Sequence, residues 1–92
     1  MTWEVNFTRQ AQRQTDRLPP KVQGVLKALV ADMMENGPVR GNWSNYSKLT
    51  GTRHHCHLKK GHPCYVAVWE VVDKEIKLIE VIYAGTHENA PY

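Results

Sequence analysis

Arg53-His54-His55-Cys56-His57-Leu58-Lys59-Lys60-Gly61-His62-Pro63-Cys64-Tyr65-Val66-Ala67-Val68-Trp69-Glu70-Val71-Val72 decides the architecture of this chain. Residues 64–72 are dense in β-branched and aromatic side chains and read as a central strand. Lys60-Gly61-His62-Pro63 is a turn, and an extended segment over about 48–59 precedes it. The pair is a hairpin, which calls for an antiparallel sheet. Asp73-Lys74 turns the chain again. Residues 75–83 form a last strand, after which Gly85 opens a C-terminal tail.

Upstream the periodicity changes. In residues 2–7, Trp3, Val5 and Phe7 alternate with polar residues as in a short strand. Thr8 suits the N-cap of a helix over 9–18, which is rich in Arg and Gln and therefore lies on the surface. Pro19-Pro20 ends it and starts the next. Across 21–35, Val22, Val25, Leu26, Leu29, Val30, Met33 and Met34 recur at the spacing of an amphipathic helix, and Gly37-Pro38 stops it. The Met and Leu stripe is core material. A loop with Trp43 and Tyr46 leads to the hairpin. The order β-α-α-β-β-β predicts an α+β fold, one domain over residues 1–92. Its two N-terminal helices should pack on one face of a small antiparallel sheet, leaving the other face partly open.

Length and composition set the frame. Ninety-two residues support one modest core. The net charge of +3 is mild, but residues 36–69 hold five Lys/Arg and no acid, against seven Lys/Arg and nine acids elsewhere. That polarity favours an anionic partner, nucleic acid first, over a merely solvated basic loop. The N-terminus lacks the pattern of a signal peptide, and no apolar run approaches the ~20 residues of a membrane helix. Two cysteines make no disulfide scaffold. The expectation is a cytoplasmic protein without membrane attachment.

The chemistry lies in the histidines. Four of the five fall between positions 54 and 62, and the fifth is His87. Side chains alternate along a strand, so Arg53, His55, His57 and Lys59 share one face, and His54, Cys56 and Leu58 the other. Cys56 and Leu58 look like core, so the cationic face is the exposed one. Imidazoles titrate near neutrality. Two beside one phosphate suit attack by the adjacent ribose 2′-hydroxyl, with Lys or Arg steadying the phosphorane. His55, Cys56, His57, His62 and Cys64 are possible zinc ligands by type, but their spacing matches no zinc finger. No metal or other cofactor is expected.

These features resemble the RelE/ParE superfamily of bacterial toxin–antitoxin toxins over nearly the whole chain. The marks are the element order, Leu18-Pro19-Pro20 between the helices, Lys48-Leu49-Thr50-Gly51 leading into the basic strand, and Tyr65-Val66-Ala67-Val68-Trp69-Glu70-Val71. Gly85-Thr86-His87-Glu88 is similar to the Gly-Thr-His motif of the YafQ branch, which precedes a short aromatic-ended tail. The resemblance implies a ribosome-dependent mRNA endoribonuclease held inactive by a cognate antitoxin. His87 matches the motif histidine. His57 matches the histidine after the entry to the basic strand, and His55 can substitute for either. Lys48, Arg53, Lys59 and Lys60 are the implied phosphate-binding residues, with Tyr92 or Tyr46 stacking on a base. Tyr46 stands where the YafQ branch has a further histidine. The RelE branch relies more on Lys, Arg and Tyr, which keeps Arg53, Lys59 and Tyr46 as alternatives. ParE relatives share the fold and poison gyrase without cutting RNA, so a protein-binding inhibitor, or a non-catalytic member of the fold, is the rival reading.

Overall fold

The computed structural model describes residues 2–92. Strand β1 (Glu4–Phe7) leads through Thr8 into helix α1 (Arg9–Asp16), and α2 (Pro20–Asn36) follows. Thr8 caps α1 as its sequence suggests, its hydroxyl accepting from Ala11 N–H at 3.0 Å. Four strands complete the chain: β2 (Ser47–Lys48), β3 (Arg53–Lys59), β4 (Tyr65–Asp73) and β5 (Leu78–Thr86). A single 3-10 turn (His87–Asn89) follows. The sheet order is β1-β5-β4-β3-β2.

Three features depart from the sequence-based expectation. The sheet is mixed, because β1 pairs parallel with β5, Glu4 opposite Leu78 and Phe7 opposite Val81. The two intervening helices carry the chain over one face and return β2 to the far edge, so β1 is left beside the last strand. The long first hairpin strand is broken. Gly51 adopts a positive φ of 73° and Leu49 N–H bonds Arg53 O at 2.8 Å, so residues 49–53 fold back and β2 pairs with β3. β5 starts and ends later than predicted. The Asp73 carboxylate caps Glu75 and Ile76 N–H at 2.8 and 3.2 Å, which prolongs the turn, and Gly85 stays within the strand.

Both helices lie on one sheet face. Val22, Leu26, Leu29 and Met33 of α2 and Ala11 of α1 close over Cys56, Leu58, Ala67, Trp69, Ile79, Val81 and Ala84. Met34, expected in this stripe, is 43% exposed. Asp32 anchors the following loop. Its carboxylate receives Arg40 Nη1 and Trp43 Nε1, each at 2.8 Å, and these bonds hold its pKa below the usual carboxylate value. The Trp69 indole donates to Pro38 O at 3.0 Å. These bonds fix the loop that delivers Tyr46 and β2. The opposite face has a small cluster of Val66, Val68 and Tyr83, covered in part by Leu49, Cys64, Ile82 and Ala90.

Candidate active site

The alternation of β3 places His55 opposite Val68 and His57 opposite Val66, both on the face away from the helices. β5 runs antiparallel to β4 and ends with Thr86 opposite Tyr65. His87 N–H then bonds Cys64 O at 2.8 Å, which starts the 3-10 turn and folds the tail back over Val66, Val68 and Tyr83. A ring cluster results. The His57 and His87 centroids are 5.5 Å apart, His55 and His57 6.0 Å, and Tyr92 rests 4.6 Å from His55 and 5.9 Å from His87. Residues thirty positions apart in sequence thus share one site, because the last strand ends alongside the hairpin.

The tail also changes the burial of the site. His55, expected on an exposed face, is only 8% exposed beneath Tyr92. Its Nδ1 lies 3.0 Å from Ser47 Oγ. Burial lowers its pKa first, with the Ser47 backbone bond opposing and the charge of His87 adding to the lowering. His57 is held below the ordinary imidazole value by burial, then by the charges of His55, His87 and Lys60. An imidazole so placed is neutral at pH 7 and free to accept a proton. Cys64 Sγ sits 3.5 Å from His57 Nδ1. Cys56 is fully buried on the helix side, its thiol pushed up to about 12 by burial, and takes no part. Among the described residues, no set of three His, Cys, Asp or Glu side chains is arranged to hold a metal ion.

The remaining predicted residues separate. Arg53 shares the histidine face, but Glu70 lies directly across from it and the two pair at 3.5 Å. Arg40 is taken by Asp32, so the basic segment is less free than its composition suggests. Lys60 is close enough to His57 to act on its charge. Lys59 does not share the histidine face. The register shifts between His57 and Lys59, so Lys59 pairs with Tyr65 and, with Leu58, borders an apolar cavity beside Pro19, Pro20 and Val22 of the helical side. Strict alternation fails at this bulge. Lys48 pairs with His54 on the helix face rather than with the site. Tyr46 is on that side too. Its hydroxyl lies 2.7 Å from His54 Nδ1, and its ring packs beside His54 and the buried Trp69. His54, 3% exposed and 6.0 Å from the parallel Trp69 ring, is a core histidine. His62 stays exposed in its turn. Two neighbours of the site were not foreseen. Cys64 could have been found by extending the Val66 and Val68 alternation back by two, whereas nothing in the sequence marks the two-residue strand that carries Ser47.

Neither family models nor curated protein sequences match this chain. Solved structures do. A mutant of the E. coli toxin RelE in the free state superposes with a TM-score of 0.76 and 24% identity, covering 98% of this chain and 88% of that one. The intact E. coli RelBE toxin–antitoxin complex gives a TM-score of 0.69 at 24% identity, over 95% and 99%. The archaeal RelE–RelB complex from Pyrococcus horikoshii OT3 gives 0.70 at 16%, over 98% and 100%. The two helices and five-stranded mixed sheet are therefore the RelE-like toxin fold.

Proposed function

We propose that this protein is the toxin of a toxin–antitoxin pair, an endoribonuclease that cleaves mRNA on the ribosome by metal-independent acid–base chemistry. The observation that carries the reading is the ring cluster of His55, His57, His87 and Tyr92 on the face the helices leave uncovered. Neutral His57 takes the proton of the ribose 2′-hydroxyl, whose oxygen attacks phosphorus. His87 gives a proton to the departing 5′-oxygen as the P–O5′ bond breaks, leaving a 2′,3′-cyclic phosphate and a free 5′-hydroxyl. His55, held by Ser47, flanks His57 and stands in reserve for either role. Lys60 and Arg53 are the cations for the phosphorane and the neighbouring phosphates. Tyr92, 49% exposed, offers its outer face to a base. A cognate antitoxin would inhibit by covering this face with an acidic or amphipathic segment. Ribosome and mRNA as partners, and action in the cytoplasm, belong to the same reading.

The experiment is mRNA cleavage on programmed ribosomes by purified variants, with thermal melting as the control for folding. His57→Ala and His87→Ala should each slow cleavage by about 100- to 10,000-fold. His62→Ala should cleave like the wild type. Wild-type cleavage by a well-folded His87→Ala protein sinks the assignment, and gyrase-linked DNA breaks with intact mRNA on expression would replace the reading with gyrase inhibition.

A further inference from the structure

The chemistry above leaves unused the cleft between α1 and the free half of β5. β1 pairs with β5 only as far as Val81, so from Ile82 to Thr86 the outer edge of β5 faces α1 instead of a strand. Gln14 fills part of the gap, its Oε1 accepting from Ala84 N–H at 3.1 Å. What remains is a cavity of about 510 Å³, walled by Gln10 and Gln14 on α1 and Arg17 at its C-cap, by Tyr65 and Thr86 on the sheet, and by the tail. Its size suits a nucleotide, since small-ligand pockets span roughly 300–1,000 Å³.

The charge beside it is concentrated. Arg9 and Arg13 lie one turn apart on α1, Arg17 follows at its C-cap, and all three are exposed. Neither ion pair among the described residues involves them. Arg17 lines the cleft, and helical geometry sets Arg13 next to Gln10 and Arg17, just outside the lining residues. The cleft adjoins the candidate site through the residues at its end. The cleft shares Thr86 with a smaller cavity bordered by His87 and Cys64, and shares Pro91 with one bordered by Arg53 and Tyr92.

We propose that this cleft is a track for single-stranded RNA, holding nucleotides that flank the phosphate cut at His57 and His87; the proposal rests on the nuclease reading above. Arg13 and Arg17 pair with backbone phosphates, and the Gln10 amide presents a donor and an acceptor to a base edge. A peptide strand adding to β5 is the lesser fit. It would have to displace Gln14 from Ala84, and it has no general need of three arginines.

The test is binding of a short fluorescent 2′-O-methyl RNA of mixed sequence, which lacks the attacking hydroxyl, across a range of salt concentrations. Beside it runs the concentration of protein needed for half-maximal cleavage on programmed ribosomes. The Arg13→Ala/Arg17→Ala variant should bind on the order of 10-fold more weakly, and the slope of log affinity against log salt should fall by about 1 to 1.5, the share of two phosphate contacts on a single strand. Its half-maximal concentration on ribosomes should rise in parallel. Lys21→Ala/Lys27→Ala, which removes the same charge from α2, should leave both readouts near wild type. Unchanged values for the arginine pair, or an equal loss in the lysine control, overturn the track. An arginine variant that keeps its RNA binding but loses a protein partner makes the cleft a peptide site, and the proposal is wrong. Wild-type cleavage alongside normal RNA handling by the arginine variant discards the track and keeps the nuclease. A wild-type protein that neither binds nor cuts RNA discards both.

Discussion

Gly85→Ala should damage both stability and the site, through one contact. A Cβ built on Gly85 falls 2.8 Å from the Tyr83 hydroxyl oxygen and 3.0 Å from Cζ. Tyr83 is only 8% exposed, packed with Val66 and Val68 beneath the tail, and its hydroxyl donates to Thr86 O at 2.7 Å. Moving the ring breaks that bond, which contributes about 0.5–1.5 kcal/mol. Overpacking this corner adds about 1–3 kcal/mol. The sum is roughly 1.5–4.5 kcal/mol, and at about 4–8 °C per kcal/mol for a domain of this size the Tm should fall by at least about 6 °C. Thr86 precedes His87, so the same shift misplaces the proposed proton donor, and a displacement of ~1 Å should cost about 100-fold in rate. The assay is a double-mutant cycle with Tyr83→Phe, read by thermal melting and by cleavage. Tyr83→Phe alone should lose only its hydrogen bond. In the double variant the shortest clash is gone, so its destabilisation should be smaller than the sum of the singles by about 1 kcal/mol or more. Additive effects, or a Gly85→Ala protein as stable and active as wild type, would refute the reasoning.

Buried His54 makes stability depend on pH. Burial, then the charge of Lys48, lowers its pKa in the folded protein, so the unfolded chain binds the proton first. Its contribution is complete above about pH 6.5, the unfolded value, and is lost as pH falls through the folded pKa. Melting curves at descending pH should show a decline that is shallower in His54→Gln. The strand bulge predicts a contrast between adjacent lysines. Lys60→Ala should raise the His57 pKa by removing a nearby positive charge, and Lys59→Ala should leave it unmoved, as read by NMR titration of the imidazole. The rate of RNA cleavage should fall on the acid side, below about pH 6.5, as His57 takes up a proton and ceases to be a base. Cleavage should persist in EDTA when ribosome integrity is maintained separately, and activity restored only by one divalent ion would contradict acid–base chemistry on histidines.

Element types were legible because each segment has a clean period. The α2 stripe and the β-branched run of β4 bury much of what their patterns imply, and the alternation of β3 correctly separates His55 and His57 from Cys56. What the sequence concealed were local breaks in period. The fold-back at Gly51 interrupts a stretch that reads as one strand, and the bulge before Lys59 transfers that lysine to the helix side. Tyr46 looked free for base stacking, but its packing partners, His54 and Trp69, are long-range neighbours that no local window contains. Arg53 looked unopposed since its acid, Glu70, stands one residue beyond the acid-free segment and directly across the hairpin.

The location of the site follows from how little core this chain can build. Two helices suffice to cover one face of the sheet, and the large fully buried side chains Trp69, Leu26, Leu29, Met33 and Ile79 lie on that side. The other face buries Val66, Val68 and Tyr83 together with His55, and the tail that covers them runs through small or polar residues to Pro91 and Tyr92. That cover packs over fewer large apolar side chains than the helical layer does. His55 and His57 beneath it are desolvated enough for lowered pKa values, while Tyr92 over His55 stays 49% exposed. Placing the same imidazoles on the helix face would give the arrangement already seen for His54, stacked on Trp69 and closed to any ligand. The helix face therefore holds the main core and the other face holds the histidine cluster, and the hydrogen bond from His87 N–H to Cys64 O is the point where the tail joins the sheet.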